Sequence, residues 1–222
     1  MLIKSEDLEK SSLVAKRRFF DYWLRLQKND YEKSFEVKER ERVFHVSNCS
    51  TIRKFFPKIP NHVKPGEDNT IARICTSNNI LDAVIGMIDT QIERVRNDDD
   101  VVLTIYGFEP AISLKPTKRP LPNSANLNER WIVNYDPTHT EYKSEVWGKI
   151  IIKDVLHARD QSKTIFSAYI DINDYALISD KREGLVGECY HASVTVDWED
   201  GNVVGKDIDI SVISKAAFKN QR

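Results

Sequence analysis

Hydrophobic positions along the chain recur first with a helical period, then in a mixture, and finally almost only with a strand period. Between residues 6 and 36, Phe19, Tyr22, Trp23 and Leu26 fall at i, i+3, i+4 and i+7, with Lys16, Arg17, Arg18, Lys28 and Lys33 among the polar positions. The spacing predicts a helix held on a core by that aromatic stripe. From Arg42 the period changes: Val43-Phe44-His45-Val46 reads as a strand, followed by a loop punctuated by Pro57, Pro60, Pro65 and Gly66 and a short strand over 71–75. Ser77 or Asn78 is placed to cap a second helix, in which Leu81, Val84, Ile85, Ile88, Ile92 and Val95 keep one apolar face until Asn97-Asp98-Asp99-Asp100. Residues 101–106 form a continuous apolar strand. Pro110, Pro116, Pro120 and Pro122 then mark an irregular connection expected to lie outside any sheet.

Strand character resumes at Trp131 and dominates beyond Asp136-Pro137, over 146–156, 164–172, 189–198 and 203–212, with Glu199-Asp200-Gly201-Asn202 as a hairpin turn. The expected fold class is therefore α+β, with three regions. Residues 1–40 form an N-terminal helical segment, 41–137 a mixed sheet-and-helix core, and 138–222 an antiparallel β extension.

Charge and composition narrow the function. The 222 residues carry a net charge of −1, yet residues 1–66 hold 15 Lys/Arg against 9 Asp/Glu and the remainder 18 against 25. The basic front is a candidate surface for a polyanion or an acidic partner, and equally a solvated helical face. No apolar run approaches the roughly 18 residues of a membrane span, and residues 1–10 lack a secretory apolar stretch, so a cytoplasmic protein with no membrane partner is expected. Cys49, Cys75 and Cys189 are widely spaced without a C-x-x-C, which predicts free thiols. His45, His62, His139, His157 and His191 are scattered singly, so no metal site is expected. There is no P-loop, no Rossmann glycine fingerprint, no G-x-S-x-G and no H-E-x-x-H.

Three segments bear on chemistry: Val43-Phe44-His45-Val46-Ser47, Arg73-Ile74-Cys75-Thr76-Ser77 running into the second helix, and Asn128-Glu129-Arg130-Trp131-Ile132-Val133-Asn134-Tyr135. In that order they resemble the ADP-ribosyltransferase superfamily, in the branch of poly(ADP-ribose) polymerases and diphtheria-type toxins. The resemblance covers about residues 43–135, a stretch also similar in layout to uncharacterised microbial and phage proteins. It implies a split β core and an enzyme that cleaves the nicotinamide–ribose bond of NAD and passes ADP-ribose to a protein or nucleic-acid acceptor.

That reaction builds positive charge on the ribose, so an anion must stand near it while donors hold the dinucleotide still. On the resemblance, Glu129 is the catalytic anion and also orients or deprotonates the acceptor. His45 holds the adenosine-side ribose, the Val46 backbone pairs with the carboxamide, Ser47 adds a hydroxyl, and Arg73 is a candidate contact for the pyrophosphate. The chain departs from the family where Val46 replaces a glycine and where Ile74 and Cys75 stand in place of a stacking tyrosine.

Those departures favour the alternative, a non-enzymatic interaction module on a degenerate transferase core: an adaptor, an inhibitor or a nucleic-acid-binding protein. Trp147, Tyr169, Tyr190 and Trp198 on the late strands are candidate aromatics for an OB-like nucleic-acid surface, against the plainer reading of core packing. The acidic residues around them, Asp197, Glu199, Asp200, Asp207 and Asp209, oppose a phosphate-tracking groove.

Overall fold

The computed structural model describes residues 5–26, 35–60, 68–95, 100–116, 126–136, 141–172 and 189–221. In chain order the elements are α1 (Ser5–Leu26), β1 (Phe35–Glu39), β2 (Val43–Ser47), β3 (Lys54–Phe55), β4 (Arg73–Ser77), α2 (Ile80–Val95), β5 (Val101–Phe108), β6 (Ile112–Pro116) and β7 (Glu129–Val133). They are followed by β8 (Tyr142–Lys143), β9 (Glu145–His157), β10 (Lys163–Ile172), β11 (Cys189–Glu199), β12 (Asn202–Ile213) and α3 (Lys215–Lys219).

Alternation is clearest along β10 among the late strands. Along β10, Thr164, Phe166, Ala168, Ile170 and Ile172 are buried and the residues between them are not, as a strand with one wetted face requires. Tyr190, Ala192, Val194 and Val196 of β11 continue that buried face, and the apolar side of α2 packs in the same cluster through Leu81, Val84, Ile85 and Ile88. Each of these four side chains is at most 1% exposed, and burial of each stabilises the fold by about 1.5–3 kcal/mol. The β11–β12 hairpin turns at Asp200 (φ 49°) and Gly201 (φ 74°), the left-handed pair a tight hairpin demands.

The strands form one antiparallel sheet in the order β1-β6-β7-β4-β2-β5-β9-β10-β11-β12, with a separate two-stranded ribbon, β3-β8. The late meander continues the sheet of the earlier strands, β9 pairing with β5 from Val101↔Ile152 to Gly107↔Glu145. The chain is thus α+β with few helices, both larger ones on the same face of a large open sheet. Among the described residues no helix is long and apolar enough to cross a membrane.

Several expectations are corrected. The first helix does not reach residue 36, because Phe35 and Glu36 belong to edge strand β1, paired with β6. That same pairing places Ile112–Pro116 inside the sheet. Pro116 is tolerated as the last residue of its strand, opposite Phe35 on a five-residue edge. The second helix is capped by Asn79 rather than Ser77 or Asn78: its Oδ1 accepts the Asp82 N–H at 2.8 Å. The strand expected at 71–75 runs from Arg73 to Ser77.

The aromatic stripe of α1 is also turned. Phe20 is fully buried with Trp23 and Leu24 packed beside it, whereas Phe19 and Tyr22 are 45% and 64% exposed. Residues 27–34, Pro65, Gly66, Asn97 to Asp99, Pro120, Pro122, Pro137, His62 and His139 lie outside the described residues.

Candidate functional site

The three motif strands are neighbours, with β4 between β7 and β2. Phe44 pairs with Ser77, and Ser77 with Glu129. Directly paired residues share a face of an antiparallel sheet and successive residues alternate. Phe44, Ser77 and Glu129 therefore line one face, and His45 belongs to the other.

Side-chain contacts agree with the register. Glu129 Oε1 accepts the Trp131 indole N–H at 2.7 Å, and Trp131 packs on Phe35 and in the cluster of Phe20 from α1. Phe44 and Val46 sit in the α2 cluster. The His45 ring instead meets Phe55 edge-on, centroids 5.1 Å apart, and Phe55 meets Tyr106 and Phe108 in turn. Helices cover the glutamate's face and the β3-β8 ribbon stands on the histidine's. The expectation that His45 and Glu129 converge on one ligand is corrected: the sheet itself lies between them.

His45 has a definite task where it stands. Phe44↔Ser77 is the single register pair joining β2 to β4, and beyond it the two strands part. The inner edge of β4 is then completed by other groups. His45 Nδ1 meets the Cys75 carbonyl at 3.0 Å, and Lys58 exchanges both backbone hydrogen bonds with Arg73, at 3.1 and 2.9 Å. A carbonyl only accepts, so Nδ1 carries the proton. Burial pushes the imidazole below its ordinary pKa, partly offset by the bond to Cys75, and the ring is neutral at neutral pH.

Of the remaining expected ligands of NAD, the Arg73 and Ser47 side chains are engaged within the chain. The Arg73 side chain is fully buried: Nη1 donates to the Asp68 and Ile71 carbonyls at 2.9 and 3.2 Å, lies 3.7 Å from the Asp68 carboxylate, and the guanidinium stacks 4.0 Å over Trp131. That enclosure leaves no room for a pyrophosphate. Val46 turns its side chain into the core, and Ser47 Oγ, on the histidine's face, accepts the Cys49 N–H at 3.2 Å. These residues do not fit one bound dinucleotide, and no step of a reaction is assigned to it.

The structure also reveals a buried polar clasp behind Glu129. Asp82, wholly buried on α2, accepts from Asn79 Nδ2 at 2.6 Å, from Asn128 Nδ2 at 2.8 Å and from the Lys206 ammonium of β12. Asn128 holds the left-handed φ of 46° that delivers the chain into β7, a conformation asparagine tolerates. Ser77 Oγ is within reach of the Leu127 and Asn128 carbonyls at 3.0 and 3.2 Å. On the other side of the strand, Arg130 forms a two-pronged ion pair with Glu41. The Asn79-x-x-Asp82 spacing was the sequence signal for the first part of this clasp, a capping-box pattern. Lys206 is 124 residues from Asp82 and gave none.

None of Cys49, Cys75 and Cys189 is in a disulfide, and the first two are exposed. Thr51, through its N–H and its hydroxyl, pulls the Cys49 thiol below its ordinary pKa. Among the described residues, no three His, Cys, Asp or Glu side chains gather as a metal-holding group. Comparison of the chain with protein-family models, with curated proteins and with solved structures returned no match.

Proposed function

We propose that this chain is a non-catalytic interaction module that recognises a protein partner. The observation that carries the reading is the placement of His45 and Glu129 on opposite faces of β4's sheet. Glycoside cleavage needs an anion and ribose donors around the same atoms; a side chain engaged beneath Phe55 and one beside Trp131 do not share them.

The late strands favour a protein over a nucleic acid as partner. Tyr190 is fully buried, Trp147 packs over Gly107 beneath the Arg42 guanidinium, and the Trp198 indole donates to Thr164. Of the four aromatics, Tyr169 lies on the other face, half-buried against His191 and beside the cluster of Phe218 from α3. One ring beside a row of aspartates is a poor stacking platform for bases.

The transferase reading keeps one supporting observation, the adjacency of the three motif strands with a parting of β2 from β4 at His45. One experiment separates the two. The protein is incubated with nicotinamide-labelled NAD and lysate, wild type beside Glu129→Gln. The interaction reading expects no nicotinamide release from either. Release by wild type that disappears in the variant establishes the transferase.

A further inference from the structure

The aromatic stripe that α1 turns away from its own core, together with the acidic far edge of the sheet, points to an occupant. The buried side of α1 holds the β1 end: Phe20 meets Tyr135 edge-on at 5.7 Å, in the cluster with Phe35, Ile112, Leu114 and Trp131. Its outward side carries Val14 (54% exposed), Phe19 and Tyr22, interleaved with the exposed Arg18 and Arg25. Neither arginine has an ion pair among the described residues, whereas Arg17 is held by Asp21 and Glu39. Tyrosine and arginine around an apolar centre are the residues that dominate protein–protein contacts.

The opposite end of the sheet has the complementary surface. Across β11, β12 and their turn stand Asp197, Glu199, Asp200, Asp207 and Asp209; Lys206, the one lysine of these strands, is spent on Asp82, and Lys163 of β10 pairs with Asp197. Val204 of β12 is 52% exposed beside these acids. α1 packs on the β1 end of the strand order, whereas β12 closes its other end and meets α2 through Lys206 and, through the Val203 carbonyl, Asn126.

We propose that the outward face of α1 docks on the acidic β12 edge of a second copy of this chain, head to tail. Unlike charges and exposed apolar side chains then cover one another, and each molecule retains one unused end of either kind. Such a contact closes into a ring or extends as a filament. The same acidity keeps two β12 edges from pairing directly, since like charges would face each other. The proposal stands whether or not the chain has catalytic activity.

The test is sedimentation of the full chain over a concentration series at low and high salt, with two charge-reversed proteins, Arg18→Glu/Arg25→Glu and Glu199→Lys/Asp209→Lys. All four positions are exposed, and unchanged circular dichroism verifies folding. Wild type should exceed 25.7 kDa with rising concentration and return to it in high salt, where screening is short-ranged. Each variant alone should remain a monomer, and mixing the two should restore association, because the intact helix of one meets the intact edge of the other. A wild type that stays monomeric throughout overturns the proposal. So does association that survives both reversals, or variants that fail to associate when mixed.

Discussion

Replacing His45 by alanine tests whether this imidazole is a structural closure of the sheet. The change removes the donor to the Cys75 carbonyl and the edge-on contact with Phe55. A hydrogen bond contributes about 0.5–1.5 kcal/mol net, and an aromatic pair contributes about 0.5–1.5 kcal/mol beyond its area. The ring is half-buried and the bond to Cys75 is exposed, so the lower halves of both ranges apply and the loss should be about 1–2 kcal/mol. For a chain of this size each kcal/mol moves Tm by about 2–4 °C, giving a fall of about 2–8 °C by calorimetry or circular dichroism.

The pH dependence supplies a second readout. Because burial depresses the pKa of folded His45 below its ordinary value of 6.5, the unfolded chain binds the extra proton first as pH falls. The histidine's stabilisation is therefore complete above about pH 6.5 and is lost as pH drops through the folded value. The Tm gap between wild type and His45→Ala should narrow from pH 7.5 to pH 5. A variant melting within about 1 °C of wild type at pH 7.5, or a gap that widens in acid, would refute the reasoning.

Other outcomes follow from neighbouring geometry. Lys206→Met strands the wholly buried Asp82 carboxylate and should cost about 3 kcal/mol in denaturant titration, while Asp82→Asn/Lys206→Met together should cost less than the sum of the single changes. Arg73→Lys loses the planar stack on Trp131 and the donors to Asp68 and Ile71; a drop of about 2 kcal/mol is expected, and an unchanged Tm would show that the enclosure is loose. At Gly148 a Cβ would stand 2.0 Å from the Asp171 carbonyl oxygen of β10, a backbone atom that has nowhere to go. Gly148→Ala should thus cost about 3 kcal/mol or more, with hydrogen exchange accelerated along β9 and β10.

Much of the fold was readable wherever one periodic signal prevailed. The β10 strand and the Asp200-Gly201 turn follow from alternation and a left-handed turn pair, and α2 from the apolar face that includes Leu81, Val84, Ile85 and Ile88. β1 and β6 were missed for physical reasons: Pro116 argues locally against a sheet, and only the distant Phe35 supplies the edge that accommodates it. The stripe of α1 misled because two apolar faces overlap there, Phe19 with Tyr22 and Phe20 with Trp23, and sequence does not say which one the core takes.

The site was legible at the level of strand order and illegible at the level of faces. His45 occupies the strand expected of it and Glu129 opens the strand expected after it, but whether two side chains converge depends on register, and a shift of one residue reverses the answer. The clasp of Asp82 with Lys206 likewise depends on a hairpin returning to the start of α2. That contact exists only once the whole sheet is assembled.

The separation of His45 from Glu129 is most directly measured by long-range ¹H–¹⁵N spectra of the histidine rings across pH, in wild type and Glu129→Gln, each with and without NAD. The account predicts a His45 signal of the Nδ1–H form, titrating below 6.5 with the same midpoint in all four samples. A midpoint that falls when Glu129 loses its charge, or that moves when NAD is added, would place the two side chains around one ligand and contradict it.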